Sequence, residues 1–103
     1  MATLHASLAA NATTNINVGD VTLDHGIVIS YACTRGALFQ AGQITILSEV
    51  AAVDYNNDWF SDDVGLTVGA DVSGNNMRLN MAVDNSSGTA ITFNYNVTKI
   101  TLV

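Results

Sequence analysis

Apolar and polar residues alternate along most of this chain. Leu66, Val68, Ala70 and Val72 alternate with Thr67, Gly69, Asp71 and Ser73. Met77, Leu79, Met81 and Val83 alternate with Arg78, Asn80 and Ala82, and Ile91, Phe93, Tyr95 and Val97 with Thr92, Asn94, Asn96 and Thr98. A period of two sends successive side chains to opposite faces of a strand. One face here is apolar and the other polar or small, as in half-buried antiparallel strands. Gly74-Asn75-Asn76 and the run Asp84 to Gly88 lie between these segments and hold residues that tolerate positive φ. The pattern predicts a three-stranded meander over residues 65–101. After Val97 the phase slips, because Ile100 and Leu102 fall on the other parity. That slip predicts a bulge near Thr98-Lys99 or a last strand that changes sheets.

Upstream, Ile27, Ile29, Tyr31 and Cys33 form another inward face. The opposite positions, Val28, Ser30, Ala32 and Thr34, are also small or apolar, so this strand is expected to be covered on both sides. Arg35-Gly36 ends it, and Gly42 to Leu47 starts the next. A shorter strand is expected over Val50 to Tyr55, then a turn at Asn56-Asn57-Asp58. Trp59 and Phe60 read as core filling, with Tyr55, Trp59 and Phe60 as a sugar-stacking platform the less favoured reading. In the first 24 residues Leu4, Ala6, Leu8 and Ala10 alternate with Thr3, His5, Ser7 and Ala9. Ile16 and Val18 continue the period, and no aromatic appears. This predicts an N-terminal arm or edge strands over residues 1–24, adding little to the core, ahead of a β-sandwich domain over residues 25–103. The fold expected is therefore all-β, an antiparallel β-sandwich of jelly-roll or barrel-like type with an extended N-terminal arm. A chain of 103 residues suits one such core. It has no Pro, which removes one common device for blunting strand edges.

Composition narrows the partners. Charged residues make up 12% of the chain, against about 25% in ordinary domains. Eleven Asn and eleven Thr take their place, giving an uncharged polar surface that costs less to desolvate. Net charge is −6, with Arg35, Arg78 and Lys99 as the fixed cations. Phosphate binding draws on clustered cations that release counterions, so nucleic acid and anionic membrane are excluded as direct partners. Cys33 is the one cysteine, so no disulfide can form within the chain. The first ten residues hold no Lys or Arg and no long apolar run, unlike a secretory signal. No stretch approaches the ~20 apolar residues of a spanning helix. The expectation is a soluble protein made in the cytoplasm. Sequons at Asn11, Asn85 and Asn96 read as ordinary strand and turn residues in a chain so rich in Asn and Thr.

Candidate chemistry is thin. Asp54, Asn56 and Asp58 match the opening of a calcium loop, but Trp59 stands where its glycine belongs and Gly65 where its closing glutamate belongs. Asp62 and Asp63 lie nearby, yet Asp and Asn gather in turns because they bond their own backbone. Adjacent on a strand, those two would point to opposite faces and make no catalytic pair. His5, His25 and Cys33 are too few and too dispersed for zinc. Ser30 or Cys33 as nucleophile, with Asp24-His25 as base, lacks any nucleophile-elbow pattern. Cys33 sits on an apolar phase, where a buried, inert thiol is usual. The reading is of a non-enzyme without cofactor or metal.

Two stretches carry a resemblance. One is Tyr31-Ala-Cys-Thr-Arg35-Gly36 followed by Gly42-Gln-Ile-Thr-Ile46. The other runs from Asp62-Asp63-Val-Gly65-Leu-Thr-Val through Gly74-Asn-Asn-Met-Arg-Leu79 to Gly88-Thr-Ala-Ile-Thr-Phe93-Asn-Tyr95. Over residues 27–97 this order resembles small β-sandwich domains of tailed-phage virion proteins, found at tail-fibre ends and as stand-alone structural proteins. A chain without stalk, repeat or coiled coil, with an apolar-alternating arm, is similar to capsid cement or decoration proteins within that group. The resemblance implies a homotrimer on the capsid exterior that bridges major capsid protein subunits. The arm would work by β-augmentation, with Leu4, Leu8, Ile16 and Val18 as its partner-binding residues. The alternative it implies is a tail or baseplate adhesin for host surface glycan, in which Trp59 would be needed.

Overall fold

The computed structural model of the chain describes residues 3–49 and 52–101. Eight strands form within them: β1 (Leu4–Leu8), β2 (Thr13–Asp20), β3 (Asp24–Arg35), β4 (Leu38–Glu49), β5 (Ala52–Ser61), β6 (Leu66–Ser73), β7 (Asn76–Val83) and β8 (Ile91–Thr101). They build a five-stranded sheet in the order β1-β8-β3-β4-β5 and a three-stranded sheet in the order β2-β7-β6. Every pairing is antiparallel. The chain is an all-β sandwich, as its alternation predicts.

The inward phases meet in one core. Ile27, Ile29, Cys33, Ile44 and Ile46 come from the larger sheet, and Met77, Leu79 and Met81 from the smaller. Phe93 sits fully buried among them, its ring stacked on Tyr31 at 5.0 Å between centroids and tilted against Tyr95. Two tight turns fall where the glycines put them. Gly36 (φ 60°) lies in the two-residue link from β3 to β4, and Gly74 (φ 61°) in that from β6 to β7.

Four expectations need correction. The stretch 65–101 is not a meander: β6 and β7 pair, but β8 crosses to the other sheet and lies between β1 and β3. The link between β7 and β8 is no hairpin turn but the crossover. Residues 56–58 are no turn either, since β5 runs straight through them against β4 with unbroken register. Tyr55 (50%), Trp59 (41%) and Phe60 (68%) stay substantially exposed instead of filling the core. The phase slip after Val97 is not cancelled within β8. The irregularity falls on β3 between Asp24 and Gly26, and Ile100 turns outward, 55% exposed. Leu102 lies outside the described residues.

Residues 4–20 form edge strands, one of the two expected forms, and not a free arm. β1 pairs with β8 from Leu4↔Tyr95 to Leu8↔Ile91, and β2 pairs with β7. Leu8 is fully buried and Val18 is 5% exposed, both in the core. The missing aromatics misled. Leu8, opposite Ile91, and Val18, at the bulge of β2, fill core space without help from rings.

Three links between the sheets converge at one end of the sandwich, and Arg35 holds two of them directly. Its side chain is 3% exposed. The guanidinium donates to the carbonyls of Val64 (3.0 Å), Asp84 (3.1 Å), Ser87 (2.9 Å) and Thr89 (2.9 Å) and to the Asp84 carboxylate (2.6 Å). A buried cation is tolerated only when its donors are satisfied, and the planar fork of arginine suits convergent acceptors. Gly65 (φ 80°) lets the chain pass so close to Asp84 that an added Cβ would lie 2.4 Å from its carboxylate oxygen. Arg35→Met should therefore cost about 3 kcal/mol, because the buried Val64 carbonyl and three part-buried carbonyls lose a charged donor at once. Urea denaturation read by fluorescence measures it.

Asp84 gives that clasp a pH dependence. The Arg35 hydrogen bond first, then the Ser86 hydroxyl and N–H, hold the Asp84 carboxyl below its ordinary 3.8. Asp71 is lowered chiefly by Arg78, and Asp20 chiefly by Thr22. A carboxyl depressed on folding contributes stability that is complete above its unfolded pKa and lost as pH falls through the folded one. The thermal midpoint should hold steady across neutral pH and fall as pH drops below about 4. Melting curves on Asp84→Asn should show a shallower acid limb.

Candidate docking face

The titratable groups do not assemble a reaction centre. Asp54, Asn56 and Asp58 stand in line on one face of β5, an extended row that cannot curl round an ion. Asp62 Oδ2 accepts the Phe39 N–H, and Asp63 Oδ1 accepts the Gly65 N–H, so both carboxylates cap backbone at the β5–β6 link. His5 Nδ1 bonds the Asn94 side-chain oxygen across β1 and β8. Among the described residues no group of three or more His, Cys, Asp or Glu is placed to hold a metal ion. No described helix is long and apolar enough to cross a membrane.

The outer face of the five-stranded sheet has a distinct chemistry. Register sets it in rows across the strands. Asn96, Ser30, Gln43 and Asp58 are successive partners and make one polar row. Two residues along, Asn94, Ala32, Ala41 and Phe60 make the next. Alanines between longer neighbours leave a trough, and the exposed Phe60 ring closes one end of it. Hollows of about 390, 300 and 250 Å³ adjoin along these rows. The first is lined by Ser30, Gly42, Gln43, Asp58, Trp59 and Phe60. The second includes Ala32, Phe39, Ala41 and Asn94. The Asn96 Oδ1 below the third is buried with no hydrogen-bond partner.

No fixed cation reaches this face. Arg35 is interior, Arg78 pairs with Asp71 on the other sheet, and Lys99 turns toward Asp24 at 3.9 Å. The far end of the face is aliphatic. Leu47 (46% exposed) on β4 and Ile100 on β8 meet over Gly26 of β3, whose added Cβ would sit 3.3 Å from Leu47 Cδ2 and 3.8 Å from Ile100 Cδ1. Leu23, 60% exposed, stands in the turn just before β3 at the same end.

The partner-binding residues expected from the sequence do not form one surface. Leu8 and Val18 are core residues and are closed to a partner in the folded chain. Ile16 packs against the core, half-buried. Leu4, 47% exposed, lies with Val18, Leu23, Tyr95 and Val97 in a cleft of about 460 Å³ between the sheets. Of the exposed side chains on this face, the sequence marked Ile100 by its phase and Phe60 as part of the less favoured sugar-stacking platform, whereas Leu47 was read only as part of a strand. Phe60 follows Trp59 on a strand, where only one of two neighbours can face inward.

No family model matches the chain, and no curated protein matches it either.

Cys33 is 1% exposed, and burial pushes its thiol up to about 11. The thiolate is the reactive form, so a thiol reagent at pH 8 should leave native protein unmodified and label it at the rate of unfolding. Mass spectrometry with and without urea reads the difference.

Proposed function

We propose that this chain is a structural protein of a tailed-phage virion, of the capsid cement type. In this reading it acts as a homotrimer on the capsid exterior and docks on major capsid protein subunits without catalysis. Its resemblance over residues 27–97 supplies the class. With β1 and β2 inside the sheets, clamping by a free arm is replaced by docking through a face. The observation that carries the reading is the aliphatic patch formed by Leu47 and Ile100 over Gly26 on a face free of cations. Five strands at about 4.8 Å spacing and about ten residues long offer roughly 700 Å². Standard interfaces bury about 800 Å² per partner.

A second reading, a tail or baseplate adhesin for host glycan, is favoured by the other end of the face. There Phe39 (61% exposed) and Phe60 are displayed, Phe60 where core filling was expected. The two readings differ in copy number, high for cement and low for an adhesin.

Leu47→Glu combined with Ile100→Glu should lower the copies retained per particle about tenfold, equivalent to about 1.4 kcal/mol per docking event. Both side chains are exposed, so the melting temperature should stay within a few degrees. Quantitative mass spectrometry of purified particles makes the measurement. Unchanged occupancy would remove the patch from the mounting surface.

A further inference from the structure

We propose that the trough beside Phe60 is a binding site for a neutral oligosaccharide of two to three pyranose rings. This rests on the adhesin reading for its biological setting, but the site is argued from geometry and can be tested on the isolated chain. Phe60 is 68% exposed at the end of a floor made by Ala41 and Ala32. An exposed aromatic ring beside a shallow floor offers a platform for the C–H face of a sugar. One row away stand Asp58, Gln43 and Ser30, consecutive partners across three strands. The rows lie about 6–7 Å apart, two residues along a strand, which is about the span of a pyranose between its substituent oxygens. Carboxylate, amide and hydroxyl then face vicinal hydroxyls with both donors and acceptors.

Length agrees as well. Four strands from β8 to β5 span about 14 Å at 4.8 Å each, which accommodates two to three rings laid across the sheet. Charge selects the class of sugar. The lining holds Asp58 and no cation, and the whole chain carries −6, so sialylated or phosphorylated glycans are disfavoured. A peptide is the poorer fit. Its backbone groups would meet side chains of a sheet face, whereas strand addition needs an edge.

The test is a titration of the 15N-labelled chain with lactose, maltose, cellobiose and chitobiose, with 3′-sialyllactose as the anionic arm. At least one neutral sugar should shift the amides of Gln43, Asp58 and Phe60, with a dissociation constant on the order of a millimolar, as a shallow site gives. Phe60→Ala should weaken that binding at least tenfold with an unchanged melting temperature, and Asp58→Asn should weaken it without removing the stack. The variant with Leu47→Glu and Ile100→Glu, altered at the far end, should bind sugar as the parent does. Absence of shifts with all four neutral sugars overturns the proposal. So does binding indifferent to Phe60→Ala, or a preference for 3′-sialyllactose. Loss of particle occupancy in the far-end variant is a separate readout, so the mounting reading and the sugar site fail independently.

Discussion

The Arg35 guanidinium is the interaction on which the two-sheet arrangement depends. The chain passes between sheets four times, at residues 9–12, 21–23, 62–65 and 84–90. Three of those passages meet at the end of β3. Arg35 binds carbonyls of the 62–65 and 84–90 links directly. The 9–12 link joins through backbone, Asn11 N–H to the Asp84 carbonyl and Val83 N–H to the Ala12 carbonyl. Crossing links expose backbone carbonyls at the mouth of an apolar core, where water reaches them poorly. One five-donor cation answers four of them and is itself compensated by Asp84. No Lys could do this, because a single ammonium has three donors and no fork.

This explains what could and could not be seen in the sequence. Period two found the strands, since it follows from which side chains must face the core, and that constraint is local. Gly36 and Gly74 marked the two-residue turns because positive φ is also a local demand. Sheet membership is not local. β7 and β8 have the alternation of a hairpin pair, and only the length of the link and a distant arginine send β8 to the other sheet. Arg35-Gly36 was visible as a strand end, but nothing near it in sequence announces its partners, which lie 29 to 54 positions away. The N-terminal strands were undervalued for a related reason. Small aliphatic side chains such as Leu8 look like thin core until the opposing residues are known.

Neutrality shapes the surface of the larger sheet. With so few charges available, those present are spent on structure. Arg35 and Asp84 clasp the links, Arg78 and Asp71 pair across β6 and β7, and Asp62, Asp63 and Asp20 cap backbone. What remains for the outer face is Asn, Ser, Gln, Thr and Ala, with Asp54 and Asp58 on its β5 margin, aliphatic groups at one end and aromatic rings at the other. Such a face is cheap to desolvate, and its polar rows keep it compatible with water. Those two properties suit docking and sugar contact, and they give no purchase for phosphate.

In the proposed docking, the edges of the sheet explain why recognition would fall to the face. β5 is a ten-residue edge strand without Pro or bulge, the kind that pairs with a copy of itself. Antiparallel self-pairing centred on Asn56 would set Asp54 opposite Asp58 of the second copy, twice over. Like charges directly opposite on neighbouring strands destabilise the pair. Glu49 crowds the same edge closely enough that its hydrogen bond with Asp54 raises its pKa. Carboxylates thus guard the strand that lacks a proline: Asp54 and Asp58 line the β5 margin of the outer face, and Asp54, the register partner of Leu47, borders its aliphatic end. A partner that arrives edge-on meets clustered negative charge, whereas one that settles on the face meets Leu47, Ile100 and neutral amides. In the proposed docking, association would be directed by where the few charges are placed, more than by how many there are.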